Sequence, residues 1–151
     1  MEGHWFVTTD RDWDAISLYK RHYSVRHYRD GRANLRAKGF LGPGEKMVLI
    51  TAMTDALFCW IYSKLRHKNG QTGIYCPIFR NEGFVLSSVL IKEAVELAQK
   101  RWPGKRMFTY INSKKIRSSN PGYCFMKAGW RTCGYTKGKL RILEFNSPRG
   151  E

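Results

Sequence analysis

Residues 74–101, IYCPIFRNEGFVLSSVLIKEAVELAQKR, limit what this chain can fold into more than any other stretch. IYCPIF reads as a strand of a sheet interior, although Pro77 removes one ladder donor and so weakens that assignment. From Leu86 the pattern changes to that of an amphipathic helix. Leu86, Leu90, Ala94, Leu97 and Ala98 recur on one face, Lys92, Glu93, Glu96 and Lys100 occupy the other, and Pro103-Gly104 ends the run. A strand that feeds directly into a helix this long needs a sheet for the helix to cover, which points to a layered α/β arrangement.

The flanking segments extend that sheet. HWFVTT reads as a strand, with Asp10 as the cap of a helix on which Trp13, Ile16, Tyr19 and Tyr23 recur. The breaker-rich GFLGPGEK precedes two apolar runs, MVLITA and ALFCWIY, separated by the turn-like MTD, which together suggest a hairpin. After the polar turn KLRHKNGQTG and the central strand-and-helix unit come a strand at RMFTYI and a final strand at KGKLRILEF. Between them SSNPGYCFMKAGW reads as a short helix, capped by Ser119 or Asn120, with Pro121 at its first position and Gly129 as its terminator. The expected fold is one α/β (α+β) domain of 151 residues, a mixed central sheet flanked by helices. No linker long enough to divide the chain into two domains is present.

The turn between strand and helix, FRNEGFVLSS, is the first candidate site. A loop of this kind converges several backbone amides at the positive end of a helix dipole, where a pyrophosphate can be held with little help from side chains. Gly83 allows close approach, Arg80 adds charge, and Ser87 and Ser88 offer hydroxyls or caps. An ordinary strand-to-helix turn would carry the same residue types.

Charge narrows the partner. Against 12 Asp and Glu stand 27 Lys and Arg, for a formal net charge of +15 and a pI near 10. The excess is concentrated in Lys20, Arg21, Arg26, Arg29, Arg32, Arg36 and Lys38, with Tyr23 and Tyr28 interleaved and Asp30 the one acid among them. A basic, aromatic segment of this kind fits a nucleic-acid surface, the alternative being a solvated basic face. Within it, the pairs His22-Tyr23 and His27-Tyr28 place a group that titrates near neutrality beside one that can stack or donate a proton. Substrate contact and plain exposure are both open, with metal binding a distant third.

Cys59, Cys76, Cys124 and Cys133 have neither the spacing of a zinc site nor the density of a disulfide scaffold, so reduced thiols and no bound metal are expected. No apolar run approaches the ~20 residues of a membrane span. The start MEGHWFVTTD lacks the basic-then-apolar order of a signal peptide, and a cytoplasmic location without membrane association is the expectation.

Residues 46–145 resemble the GNAT superfamily of acyl-CoA-dependent N-acyltransferases. The order is hairpin, strand, loop, long helix, strand, short helix and closing hairpin; SSVLIKEAVELA is similar to the opening of that family's long helix, and CFMKAGWRTCG to the close of its short one. The resemblance implies acetyl-CoA or a related acyl-CoA as cofactor, held by Arg80, Asn81, Gly83, Val85, Leu86, Ser87, Ser88, Asn120 and Phe125 within the core 46–145. Residues 1–45 would form the substrate side. Two departures stand out. Glu82 and Val85 interrupt the family's loop pattern, so Glu82 should point away from the phosphates, or the loop is two residues longer than usual. Phe125 occupies the position of the tyrosine that protonates the leaving thiolate, which leaves Tyr123 as the candidate acid.

The sequence RHYS at the end of the first helix, with FRNEGFVLSS and TYINSKKIRSSNPGYCFMKAGW, is similar to phage-encoded Mom-type proteins that modify adenine in DNA. This resemblance implies His22 and Tyr23 at the acceptor site, with His22 or a water-linked Asp55 accepting a proton, and a base amine in DNA as substrate. Asp55 also reads as a plain turn residue. Cytoplasm would then mean that of the host. The alternatives are N-acetylation of a protein, a small amine or an aminoacyl-tRNA, and a non-catalytic DNA-binding protein of the same fold.

Overall fold

The computed structural model describes residues 3–21, 39–64, 67, 70–112 and 122–146. In chain order the described elements are β1 (Trp5–Thr8), α1 (Trp13–Lys20), β2 (Glu45–Thr51), β3 (Ala56–Ser63), β4 (Gly73–Asn81), α2 (Ser87–Arg101), β5 (Met107–Ile111), α3 (Tyr123–Lys127), β6 (Arg131–Tyr135) and β7 (Arg141–Phe145). The strands form one seven-stranded sheet in the order β1-β2-β3-β4-β5-β7-β6. Every neighbouring pair is antiparallel except β4 and β5, which run parallel because α2 carries the chain back between them. The mixed α+β architecture expected from the sequence is therefore present. None of the helices among the described residues is long and apolar enough to cross a membrane.

Each face of the sheet has its own core. On one, α2 and α3 cover Met47, Leu49, Phe58, Trp60, Ile74 and Met107 with Leu90, Ile91, Ala94, Val95, Ala98 and Phe125. On the other, Ala15 and Leu18 of α1 pack on Val48, Ile50, Leu57, Cys59 and Ile78. At roughly 1.5–3 kcal/mol for each large apolar side chain removed from water, these layers dominate the favourable side of folding.

Indole N–H groups fix α2 against the sheet. Trp5 Nε1 of β1 donates to Leu90 O at 2.8 Å, and Trp60 Nε1 of β3 donates to Ala94 O at 3.1 Å. A third, Trp102 Nε1 just beyond the helix, donates to Glu45 Oε1 at 3.1 Å. Ala94 has only a methyl group, which lets the helix come close to the strands, and it is fully buried. The helix face differs by a step from the sequence reading: Ile91 and Val95 belong to it, whereas Leu86 precedes the helix and is 71% exposed.

One local expectation is corrected, and two run past the described residues. The cap of α1 is Asp12, whose carboxylate accepts from Asp14 N and Ala15 N, while Asp10 accepts from Leu41 N and closes the 39–41 turn instead. The described helix ends with Arg21 as C-cap, and Tyr23 lies outside the described residues. The described short helix starts at Tyr123 with Gly122, whose φ of 83° suits glycine, at its N-cap, and the expected cap and first residue, Ser119 or Asn120 and Pro121, lie outside the described residues. Its end follows expectation: Gly129 has φ 97°, and Trp130 N donates to Phe125 O while Gly129 N donates to Met126 O, the paired bonds of a left-handed helix stop.

Pro77 sits inside β4 without harm because the strand bulges there. Cys59 pairs with Ile78 and Ile61 with Tyr75, so Cys76 and Pro77 together oppose the single residue Trp60. A bulge leaves one residue outside the ladder, and a missing N–H costs nothing at such a position.

Candidate functional site

The bulge coincides with the point where β4 and β5 part. Their parallel ladder pairs Ile74, Cys76 and the intervening Tyr75 with Met107, Thr109 and Phe108, and goes no further. Thr109 Oγ1 donates to Cys76 O at 2.7 Å, using the last carbonyl before the separation. Beyond it β4 continues to Asn81 and β5 to Ile111 with no ladder bond between them. An extended ligand can enter between two strands that part in this way.

At the end of β4 the chain turns into α2 through a loop organised by Asn81. The Asn81 amide Nδ2 donates to Val85 O at 2.7 Å and to Ser87 Oγ at 3.0 Å, and its Oδ1 accepts from Gly83 N at 2.9 Å. Leu86 occupies the N-cap of α2, and no side chain caps this helix start. The first-turn amides of Ser87 and Ser88 thus lie at the positive end of a 15-residue helix. Phe84 is fully exposed beside them, and Leu86 and Met53 are exposed at 71% and 80%. The arrangement suits an anion attached to an apolar or planar group.

Gly83 is required by its neighbour. A Cβ at this position would lie 2.2 Å from Asp55 Oδ2. Asp55 is held in the β2–β3 turn, where Thr51 Oγ1 donates to its Oδ1 at 2.7 Å, and its carbonyl accepts from Glu82 N at 2.7 Å. Asp55 is therefore a turn residue in contact with the candidate loop.

Glu82 faces away from the helix start. Its carboxylate accepts from Arg21 Nε at 2.7 Å and Arg21 Nη2 at 2.9 Å, and from Arg80 Nε. The Arg21 hydrogen bonds, followed by that of Arg80, hold its pKa down at about 2. Arg80 Nη1 also donates to Arg21 O at 2.7 Å, which commits the Arg80 guanidinium to the end of α1. The negative charge in the loop is thus neutralised locally, and backbone amides remain as the donors toward a ligand.

The other candidates are dispersed. Tyr123 is 53% exposed at the start of α3, with Lys127 Nζ 6.0 Å from its ring centre. Phe125 is 4% exposed and packs edge-on against Phe79 and Trp130, with ring centres 5.9 and 4.9 Å away. Cys124 is half-buried against the same core, and burial raises its thiol pKa. Cys59 and Cys76 are buried, Cys133 is exposed, and all four thiols are free. Lys20 and Arg21 end α1 at the surface. His22, Tyr23, Arg26, Tyr28, Arg29, Arg32, Arg36, Lys38 and Asn120 lie outside the described residues.

A second group escaped the sequence reading. His67, Tyr75, Phe108 and Tyr110 cluster on the sheet face opposite α2, at the end of the β4–β5 ladder. Phe108 and Tyr110 are two apart on one strand, a spacing that puts both on one face, and this was the available signal. His67 comes from a polar turn with no pattern to mark it.

No family model, curated protein or solved structure matches this chain.

Proposed function

We propose that the chain is a GNAT-type N-acyltransferase that uses acetyl-CoA or a related acyl-CoA and acts on nucleic acid, with an amine of a DNA base as acceptor. The observation that carries this reading is the sequence β2–β3 hairpin, β4, loop, α2, β5, α3, β6–β7 hairpin around a sheet whose one parallel pair parts after three residues. That is the element order the resemblance implies. The uncapped start of α2 suits the pyrophosphate, and the space between β4 and β5 suits an extended pantetheine arm.

In the reaction the acceptor nitrogen attacks the thioester carbonyl. The C–N bond forms, the C–S bond breaks, and the sulfur leaves as a thiolate with the bonding electron pair. The amine proton passes to a base, and the thiolate takes a proton from an acid or from water. Tyr123 is the candidate acid, because Phe125 has no proton to give. Arg21, which precedes the candidates His22 and Tyr23 in the sequence, is tied by Glu82 to the loop, while His22 and Tyr23 themselves lie outside the described residues. The net charge of +15 suits a polyanionic acceptor.

Acetyl-CoA at about one hundred times its Kd stabilises a one-site binder by about 2.7 kcal/mol, which raises the melting temperature of a chain this size by roughly 5–10 °C. Absence of any shift at millimolar ligand would remove the cofactor assignment. Mass analysis of nucleosides from cells expressing the protein then separates a DNA base from a protein, small-amine or aminoacyl-tRNA acceptor.

Burial of Phe125 at the position expected for the acid favours a second reading, a DNA-binding protein that retains the fold without the chemistry. It differs in one observable: DNA affinity falling steeply with salt and no acyl transfer.

A further inference from the structure

The cluster at the end of the β4–β5 ladder has a definite build. Phe108 is fully buried and forms its floor. Tyr75 stacks on it with ring centres 5.3 Å apart and an interplanar angle of 17°, and Tyr110 lies 5.3 Å from Tyr75 at 56°. Both tyrosines are half-buried. His67 stands edge-on to Tyr75 and Phe108, 5.0 Å from each, with Nδ1 3.5 Å from the Tyr110 hydroxyl.

The surroundings hold this histidine in place and add charge. His67 N donates to Gln71 O and its carbonyl accepts from Gly70 N, both at 2.9 Å. Arg106 binds the same turn through Thr72 O and Gln71 Oε1, and its guanidinium carbon lies 5.2 Å from the Phe108 ring centre. Glu144 is shared between Arg106 and Arg131, so this trio carries one net positive charge, with Arg131 74% exposed. Tyr110 is the first β5 residue past the last ladder pair, which puts the His67–Tyr110 contact beside the opening between the strands.

We propose that this cluster is the acceptor subsite: it takes a planar nucleobase by stacking on Tyr75 and Tyr110, and the His67–Tyr110 pair receives the proton released by the base's amine. The proton assignment rests on the acyl-transfer reading above, whereas the stacking subsite stands without it. A nucleobase is the occupant because the half-buried members of the cluster are aromatic rings with polar edges, flanked by a net-positive arginine pair on a strongly basic chain. The cofactor's own adenine is a poor match, since the loop at the start of α2 belongs to the opposite sheet face. In the transfer, the amine nitrogen bonds to the acyl carbon as the thioester C–S bond breaks; its proton moves to the Tyr110–His67 pair, and the thiolate takes a proton from Tyr123 or from water. Burial lowers the pKa of His67, which keeps its imidazole neutral and able to accept that proton.

The test uses the full chain, a fluorescein-labelled deoxyadenosine oligonucleotide read by anisotropy, and acetyl-CoA as donor. Tyr75→Leu should weaken oligonucleotide binding about tenfold with an unchanged salt slope, and Tyr75→Trp should bind as well as wild type or more tightly. His67→Gln and Tyr110→Phe should bind as wild type yet slow acetyl transfer at saturating oligonucleotide. His67→Gln should also remove the fall in rate below the ordinary imidazole pKa of 6.5. If Tyr75→Leu and Tyr75→Trp both bind like wild type, the stacking subsite is wrong. If His67→Gln keeps the wild-type rate and pH profile, the proton assignment is wrong. Weaker binding by Tyr75→Leu in a protein that gives neither a melting shift with acetyl-CoA nor any transfer would support the subsite and overturn the acyl reading alone.

Discussion

Glu82 and Arg21, sixty-one residues apart in the chain, face each other in a two-pronged ion pair at 2.7 and 2.9 Å. Arg21 is anchored in turn by Nη1 donating to Ser17 Oγ at 2.7 Å, and Arg80 closes the triangle through Glu82 and Arg21 O. The C-terminus of α1 and the loop before α2, which belong to opposite sheet faces, are thereby joined at one point. Charge-assisted, forked contacts hold geometry better than a lone surface pair, though water screens their energy.

Glu82→Gln should lower stability by about 1 kcal/mol at neutral pH. The pH dependence follows from the pKa of about 2, against 4.5 for an unperturbed glutamate. A carboxylate with a depressed folded-state pKa contributes stability that is complete above its unfolded value and is lost as pH falls toward the folded one. Urea unfolding at several pH values should show a constant gap between wild type and variant above pH 4.5, closing toward pH 2. A gap that persists unchanged in acid would assign the effect to packing.

Gly83→Ala tests the contact between the β2–β3 turn and the loop. The added Cβ would lie 2.2 Å from Asp55 Oδ2, and the carboxylate cannot swing away freely because Thr51 holds its other oxygen. We expect a loss of about 1–3 kcal/mol and a smaller melting shift with acetyl-CoA. The double variant Gly83→Ala with Asp55→Gly should recover much of the stability if this contact is the cause.

What could be read from the sequence was local. The periodicity of Leu90, Ala94 and Ala98 announces α2, and Gly129 after a short apolar run announces the end of α3, because each acts through its immediate neighbours. Pairing across the sheet was harder to see. β6, RTCGY, is mostly exposed and is held by backbone bonds to β7, so its own residues give little sign of a strand. The expected final strand KGKLRILEF shortens to Arg141–Phe145 because Thr136 N bonds to Leu140 O across a turn in which Lys139 takes φ 66°. Asp10, the expected cap, is engaged instead by Leu41, thirty-one residues away, and Asp12 caps the helix. In the candidate site, Gly83 and the serines were visible as a loop pattern. The roles of Asn81 and Glu82 follow from contacts that only the folded chain makes, and His67 meets Tyr75 and Tyr110 from a separate turn.

Phe125 links the short helix to the sheet through Phe58, Phe79 and Trp130, with ring centres 6.4, 5.9 and 4.9 Å away. Phe125→Ala should cost about 3–5 kcal/mol, the range for truncating a buried aromatic side chain. Phe125→Tyr puts a hydroxyl into that apolar cluster and should cost about 1–3 kcal/mol, without creating an acid at the surface. Denaturant unfolding ranks the two; a Phe125→Tyr variant as stable as wild type would show that the ring edge reaches a polar partner.

His67 supplies the remaining pH dependence. Burial opposes its protonation, so its folded-state pKa lies below the unfolded 6.5. The unfolded chain then binds the proton first as pH falls, and the stability contributed by the neutral form, complete above 6.5, declines toward the lower folded pKa. Wild type should therefore lose melting temperature between pH 7.5 and 5 faster than His67→Gln, with the two curves running parallel at alkaline pH. The comparison with His67→Gln cancels every contribution common to the two proteins. Equal slopes for variant and wild type would mean that folding does not lower the pKa of this imidazole.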